Sequence, residues 1–125
     1  MGGKEATILL IEDEPDLKSA LETLLKTADF DIFSASSWEE ADAIVAQRDE
    51  PIDVLITDIV LPDKNGIEIC EELESLWPDM QTVFVSGYSS EIARRYGDLE
   101  GDGRRFLTKP VSPSELFETL DELMA

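Results

Sequence analysis

Histidine is absent from this 125-residue sequence. That alone excludes Ser-His and Cys-His hydrolases, His-ligated zinc sites and histidine phosphocarriers. Cysteine is almost absent: Cys70 stands alone, cannot form an internal disulfide, and points to a reducing, cytoplasmic compartment. Basic residues are scarce as well. Ten Lys and Arg face 29 Asp and Glu, a formal charge of −19, so every counterion contribution to binding a nucleic-acid backbone has the wrong sign. The same deficit argues against an anionic membrane surface. No apolar run approaches the roughly 18 residues of a membrane span, and no membrane segment is expected. Met1-Gly2-Gly3-Lys4 lacks the apolar core of a secretion signal, so residues 1–5 read as a leader or an expression remnant.

What is present suffices for one sizeable core. Apolar residues make up 42% of the chain, and residues 6–125 are expected to form a single domain. The apolar pattern changes period regularly along it. Ala6–Ile11 is a continuous apolar run too short for a helix and suits a strand buried on both faces. Pro15 then opens a helix carrying Leu17, Leu21, Leu24, Leu25 and Ala28 at spacings of three and four. Strands are predicted at Asp31–Ala35, Ile52–Ile59, Gln81–Val85 and Arg105–Leu107. Ser37 and Glu40 form a capping box before a helix that buries Ala41, Ile44 and Val45. A third helix carries Ile67, Cys70, Leu73 and Leu76 and ends before Pro78; a short, weakly periodic fourth falls at Ser90–Tyr96. Ser112, Pro113 and Glu115 open a last helix with Leu116, Phe117, Leu120 and Leu123. Strands alternating with helices, without repeats or linkers, predict an α/β fold of (βα)5 type with a parallel sheet and helices on both faces.

Four of the predicted strands end in polar residues: Glu12-Asp13, Asp58, Ser86 and Lys109. In a parallel sheet the carboxyl ends share one edge, where ligands bind beside the switch in strand order. Three carboxylates gathered there repel one another, about 4 kcal/mol for a pair 4 Å apart at an effective dielectric near 20. A divalent cation removes that repulsion, and an all-oxygen, half-open site suits Mg²⁺ or Mn²⁺ rather than zinc. Lys109 and Ser86 add an ammonium and a hydroxyl, which with the metal cradle the oxygens of a phosphoryl group. A carboxylate is a competent nucleophile for an acyl phosphate. Singly, each residue has a plainer reading: a helix cap, an Asx-turn, a strand end, a turn. Jointly, they point to phosphoryl transfer onto an aspartate.

These residues also carry a resemblance that covers nearly the whole chain. Ile8–Pro15 with its acidic pair, Asp58-Ile59-Val60-Leu61-Pro62-Asp63-Lys64-Asn65-Gly66, Val83–Gly87 and Phe106–Pro110 resemble the receiver domain of two-component response regulators. The Ser86-Gly87-Tyr88-Ser89 run resembles receivers fused to hybrid sensor histidine kinases, with a stand-alone regulator as the alternative. The resemblance implies a flavodoxin-like doubly wound sandwich with strand order 2-1-3-4-5. It implies that Asp58 is the phosphoacceptor and that Asp13, Asp58 and the Val60 carbonyl bind Mg²⁺, with Glu12 acting through a water. Ser86 and Lys109 would hold phosphoryl oxygens, Gly87 would leave access, and Ser86 with Phe106 would form the conformational switch. Tyr88, two residues past Ser86, is a candidate for hindering attacking water. The Lys109–Pro110 bond is expected to be cis, since X-Pro is where that isomer is cheap. Two departures stand out: Glu12 replaces the commoner Asp, and Phe106 lacks the hydroxyl of the usual Tyr.

The implied partner is a histidine kinase or histidine phosphotransfer domain. Within Glu91–Lys109, five bases face four acids, in contrast to the rest of the chain. That stretch suits an acidic partner or a homodimer through the fourth helix, fifth strand and fifth helix; it also suits a solvated face with local ion pairs. A degenerate docking scaffold and a Mg²⁺-dependent aspartyl phosphohydrolase are the competing functions. The latter usually carries a second aspartate two residues after the nucleophile, where this chain has Val60. Trp38, Trp77 and Cys70 read as packing residues.

Overall fold

The computed structural model describes residues 6–87, 101 and 103–124. Along the chain run β1 (Thr7–Ile11), α1 (Pro15–Thr27), β2 (Asp31–Ala35), α2 (Trp38–Ala46), β3 (Val54–Asp58), α3 (Gly66–Leu76), β4 (Gln81–Ser86), β5 (Arg104–Thr108) and a C-terminal helix (Pro113–Met124). The five strands form one parallel sheet in the order β2-β1-β3-β4-β5. This is the predicted α/β flavodoxin-like arrangement. The helix expected at Ser90–Tyr96, together with Tyr88, lies outside the described residues.

Strand side chains alternate between the two faces of the sheet, and the core divides accordingly. On one face Leu9, Ile11, Leu55 and Phe84 pack with Ala41 and Val45 of α2 and Ile69, Cys70 and Leu73 of α3. On the other, Ile8, Leu10, Val54, Ile56, Val83 and Val85 pack with Leu21 and Leu25 of α1 and Leu116 and Leu120 of the C-terminal helix. Both faces of β1 and β3 are covered, which is why their sequences read as unbroken apolar runs. Truncating a residue such as Leu73, which is fully buried, costs about 2–5 kcal/mol.

The helices differ from expectation in instructive details. In α3, Ile69, Cys70 and Leu73 are buried, whereas Leu76 is 57% exposed. A strict three-residue step loses about 60° per step against the helical turn, so Ile67 and Leu76 sit on opposite sides. In α1, Ala28 is the exposed C-cap rather than part of the buried stripe. The capping box of α2 is half formed. Ser37 Oγ accepts the Glu40 N–H at 3.2 Å, but the Glu40 carboxylate takes the Ser36 N–H at 2.7 Å instead of that of Ser37. The C-terminal helix begins at Pro113; a proline suits this position because its missing N–H has no partner to lose there.

Candidate functional site: an acidic pocket at the carboxyl edge of the sheet

Parallel pairing carries the ends of β1, β3, β4 and β5 to one edge. There Asp13, Glu14, Asp58, Val60, Ser86, Gly87 and Lys109 line a pocket of about 420 Å³. Glu12 directly follows β1 and is 1% exposed. Its N–H continues the β1–β2 ladder by donating to the Ala35 carbonyl at 3.0 Å, and its carboxylate accepts the Glu14 N–H at 3.0 Å. Asp58 closes β3, is buried, and accepts the Val60 N–H at 3.3 Å. Lys109 extends the β4–β5 ladder by donating its N–H to the Ser86 carbonyl at 3.0 Å, and its peptide to Pro110 is cis.

One ammonium serves several acids in this pocket. Lys109 Nζ lies 2.9 Å from Asp58, 3.3 Å from Glu12 and 3.3 Å from Glu14. Carboxylate oxygens of Glu12, Asp13 and Asp58 lie within 4.8 Å of one another. The three negative charges of Glu12, Asp13 and Asp58, less the one on Lys109, leave −2 among these groups, and Glu14 brings the whole edge to −3. The imbalance shows in Glu12, whose carboxyl is pushed above its ordinary value chiefly by burial, and further by the charge of Asp58. Its bonds from the Glu14 N–H and Lys109 pull the other way. Burial alone would lower the Lys109 ammonium, yet the bond and charge of Asp58, with the charge of Glu12, raise it well above its ordinary value. The donor set is all oxygen, and its net charge equals that of a divalent cation in magnitude. The cluster is therefore able to coordinate a divalent metal ion.

The loop between Asp58 and α3 is fastened on several sides. The Ile59 N–H bonds to the Val85 carbonyl at 3.2 Å, and the Gly66 N–H to the Ile59 carbonyl at 2.8 Å. A β-carbon at Gly66 would collide with the Asp58 carbonyl, so the close approach of α3 to that strand end requires glycine. Asn65 caps α3 by accepting the Ile67 N–H at 2.7 Å. Asp63 reaches α2, accepting the N–H groups of Trp38 at 3.0 Å and Glu39 at 2.9 Å. Those bonds, that from Trp38 first, hold its carboxyl below the ordinary value. Lys64 pairs with Glu72 and sets its ammonium 5.0 Å from the centre of the Trp38 ring.

The remaining sequence candidates divide. Ser86 is 1% exposed and lines the pocket. Among the described residues, a β-carbon at Gly87 would meet nothing within 4 Å. Phe106 is half-buried and packs against the core on the α2–α3 face. Trp38 and Trp77 also pack there, and the buried Cys70 has its thiol pushed up to about 11, mainly by burial. The bases of Glu91–Lys109 are largely committed: Arg104 pairs with Glu74, Arg105 with Glu122, and Lys109 with the acidic cluster. Arg94 and Arg95 lie outside the described residues.

Sequence reading did not single out Glu14, Asp63 or Asn65 for any role. An Asn directly before the glycine that opens α3 is a recognisable N-cap signal. The carboxylates of the other two meet their partners across folded distances. Among the described residues, no helix is long and apolar enough to cross a membrane.

Comparison with known proteins agrees with the geometry. The family model for the response regulator receiver domain matches residues 8–121. The chain is 32% identical over 120 residues to the sensor kinase CckA of Brucella abortus, covering 95% of this chain and 12% of that protein. It is 32% identical over 109 residues to the aerobic respiration control protein ArcA of Escherichia coli, covering 87% of this chain and 44% of ArcA. The chain thus spans less than half the length of either. Among solved structures, the receiver domain of the hybrid histidine kinase CckA superposes with a TM-score of 0.79 at 26% identity, covering 96% of this chain and all of that one. A response regulator receiver protein from Sinorhizobium medicae gives 0.83 at 25% identity, covering 98% and 97%. The chain belongs to the response regulator receiver domains, modules of two-component signalling that work by metal-dependent phosphorylation of an aspartate.

Proposed function

We propose that Asp58 is the phosphoacceptor of this receiver and that residues 6–125 form its single domain, with residues 1–5 a leader or an expression remnant. The observation that carries the reading is the placement of one buried carboxylate 2.9 Å from Lys109 and within 4.8 Å of two further acids, at the mouth of an open pocket. An Asp58 oxygen attacks the phosphorus of a phosphohistidine. The new P–O bond forms as the P–N bond breaks, and the leaving imidazole takes up a proton. Mg²⁺, or Mn²⁺, held by Asp13, Asp58, the Val60 carbonyl and Glu12 (the last through a water), would neutralise charge developing on the phosphoryl oxygens. Lys109 then exchanges its carboxylate contacts for a phosphoryl oxygen, and the Ser86 hydroxyl bonds another. Gly87 leaves the donor's path open.

Drawing Ser86 toward the phosphoryl group alters packing next to Phe106, the residue paired with Phe84 across β4 and β5. That is the route by which a local charge event reaches the surface of β5 and its flanking helices. Without a hydroxyl, Phe106 acts there by packing alone. The donor is a histidine kinase or histidine phosphotransfer domain in the cytoplasm. The receptive surface for a homodimer is the one formed by β5, the C-terminal helix and the predicted Ser90–Tyr96 helix.

Incubation with Mg²⁺ and acetyl phosphate tests the assignment. Intact mass should show one hydroxylamine-labile phosphoryl group on the wild type and none on Asp58→Asn. Sustained release of phosphate without an adduct would favour the hydrolase, and no reaction a docking scaffold. An adduct retained by Asp58→Asn would move the acceptor elsewhere.

A further inference from the structure

We propose that Glu14 is a specificity-determining residue for the phosphodonor, a negative charge at the pocket mouth that slows small anionic donors; this rests on Asp58 being the acceptor. Glu14 lines the same pocket as Asp58 and Lys109, with its side chain 62% exposed. Its carboxylate lies 3.3 Å from Lys109 Nζ, while its backbone N–H steadies the buried Glu12 carboxylate. The residue therefore faces the donor's path and also holds part of the ammonium that an incoming phosphoryl oxygen needs.

The charge balance gives the direction of the effect. Glu12, Asp13 and Asp58 contribute −3, Lys109 +1 and a divalent cation +2, which sum to zero. Glu14 then leaves the loaded pocket at −1. A free dianion approaching it meets net like charge and has no contacts outside the pocket to offset the repulsion. A donor domain that docks through its surface brings contacts of its own, so one repelling carboxylate selects for it over small donors.

The test compares wild type, Glu14→Gln and Glu118→Gln, which removes an equal charge from an exposed position on the C-terminal helix. Initial rates of adduct formation are measured with acetyl phosphate, a dianion at pH 7, and with phosphoramidate, a monoanion. Glu14→Gln should react about three- to tenfold faster with acetyl phosphate at low salt. Its gain with phosphoramidate should be smaller, and about 0.5 M salt should shrink both gains below about twofold. Glu118→Gln should match the wild type. A Glu14→Gln rate equal to or below wild type overturns the inference, as does a gain that ignores salt or is shared by Glu118→Gln. No adduct on any of the three proteins overturns the acceptor assignment and this inference with it, whereas a wild-type adduct without acceleration overturns Glu14's role alone.

Discussion

The two ends of β5 each hold a cation, and they treat it differently. At the start, Arg104 meets Glu74 in a two-pronged pair, Nε to Oε2 at 3.2 Å and Nη2 to Oε1 at 2.7 Å. One charge answers one charge, and the planar fork fits the carboxylate. Just past the other end, Lys109 answers Asp58, Glu12 and Glu14 at once. The first arrangement is complete and ties β5 to α3. The second is short of positive charge, and that shortage is what a metal ion can fill. A matched pair holds the fold together; a mismatched cluster leaves room for chemistry.

Removing each cation should break this contrast to a different degree. The largest effect is expected for Lys109→Met without metal. Its side chain is 17% exposed, and its loss leaves the buried carboxylates unpaired, costing about 2–4 kcal/mol in urea unfolding. Saturating Mg²⁺ should return most of that loss through linkage. An equal deficit with and without Mg²⁺ would erase the distinction between the two ends. Arg104→Met should cost less, about 1 kcal/mol, with no response to Mg²⁺ and an adduct rate within about twofold of wild type.

The subtlest separation is in pH. Arg104 holds Glu74 below its ordinary value of 4.5. The stability from that pair is therefore complete above 4.5 and lost as pH falls through the lower folded value. Glu12 has the opposite sign: burial raises it, so its cost is absent below 4.5 and grows as pH rises through the higher folded value. Glu12→Gln should thus stabilise the metal-free protein at pH 7 but not at pH 4, whereas the penalty of Arg104→Met should be full at pH 7 and shrink as pH falls below 4.5. Parallel pH profiles for the two variants would contradict the assignment.

Much of this was legible in the sequence because the fold turns short patterns into positions. Continuous apolar runs mark strands covered on both faces, and a parallel sheet delivers their polar tips to one rim, so Asp58, Ser86 and Lys109 stood out by place. The rest depended on side-chain reach. Asp63 lies 24 residues from the Glu39 N–H it caps, and Arg104 lies 30 from Glu74; no local pattern encodes either meeting. The buried stripe of α3 was misassigned for a different reason. Leu76 continues a three-residue spacing that the helical turn does not follow, and the chain leaves it in solvent.

The fastening of the loop after Asp58 has a practical consequence. Because Lys64 lies over the Trp38 ring and Asp63 holds the backbone of the same residue, an indole sits where any shift of that loop must change its surroundings. Trp77, at the far end of α3, lies away from this contact and contributes a background that a Trp77→Phe variant would remove. Trp38 emission is therefore expected to change on titration with Mg²⁺, and a Trp38→Phe variant should lose that change.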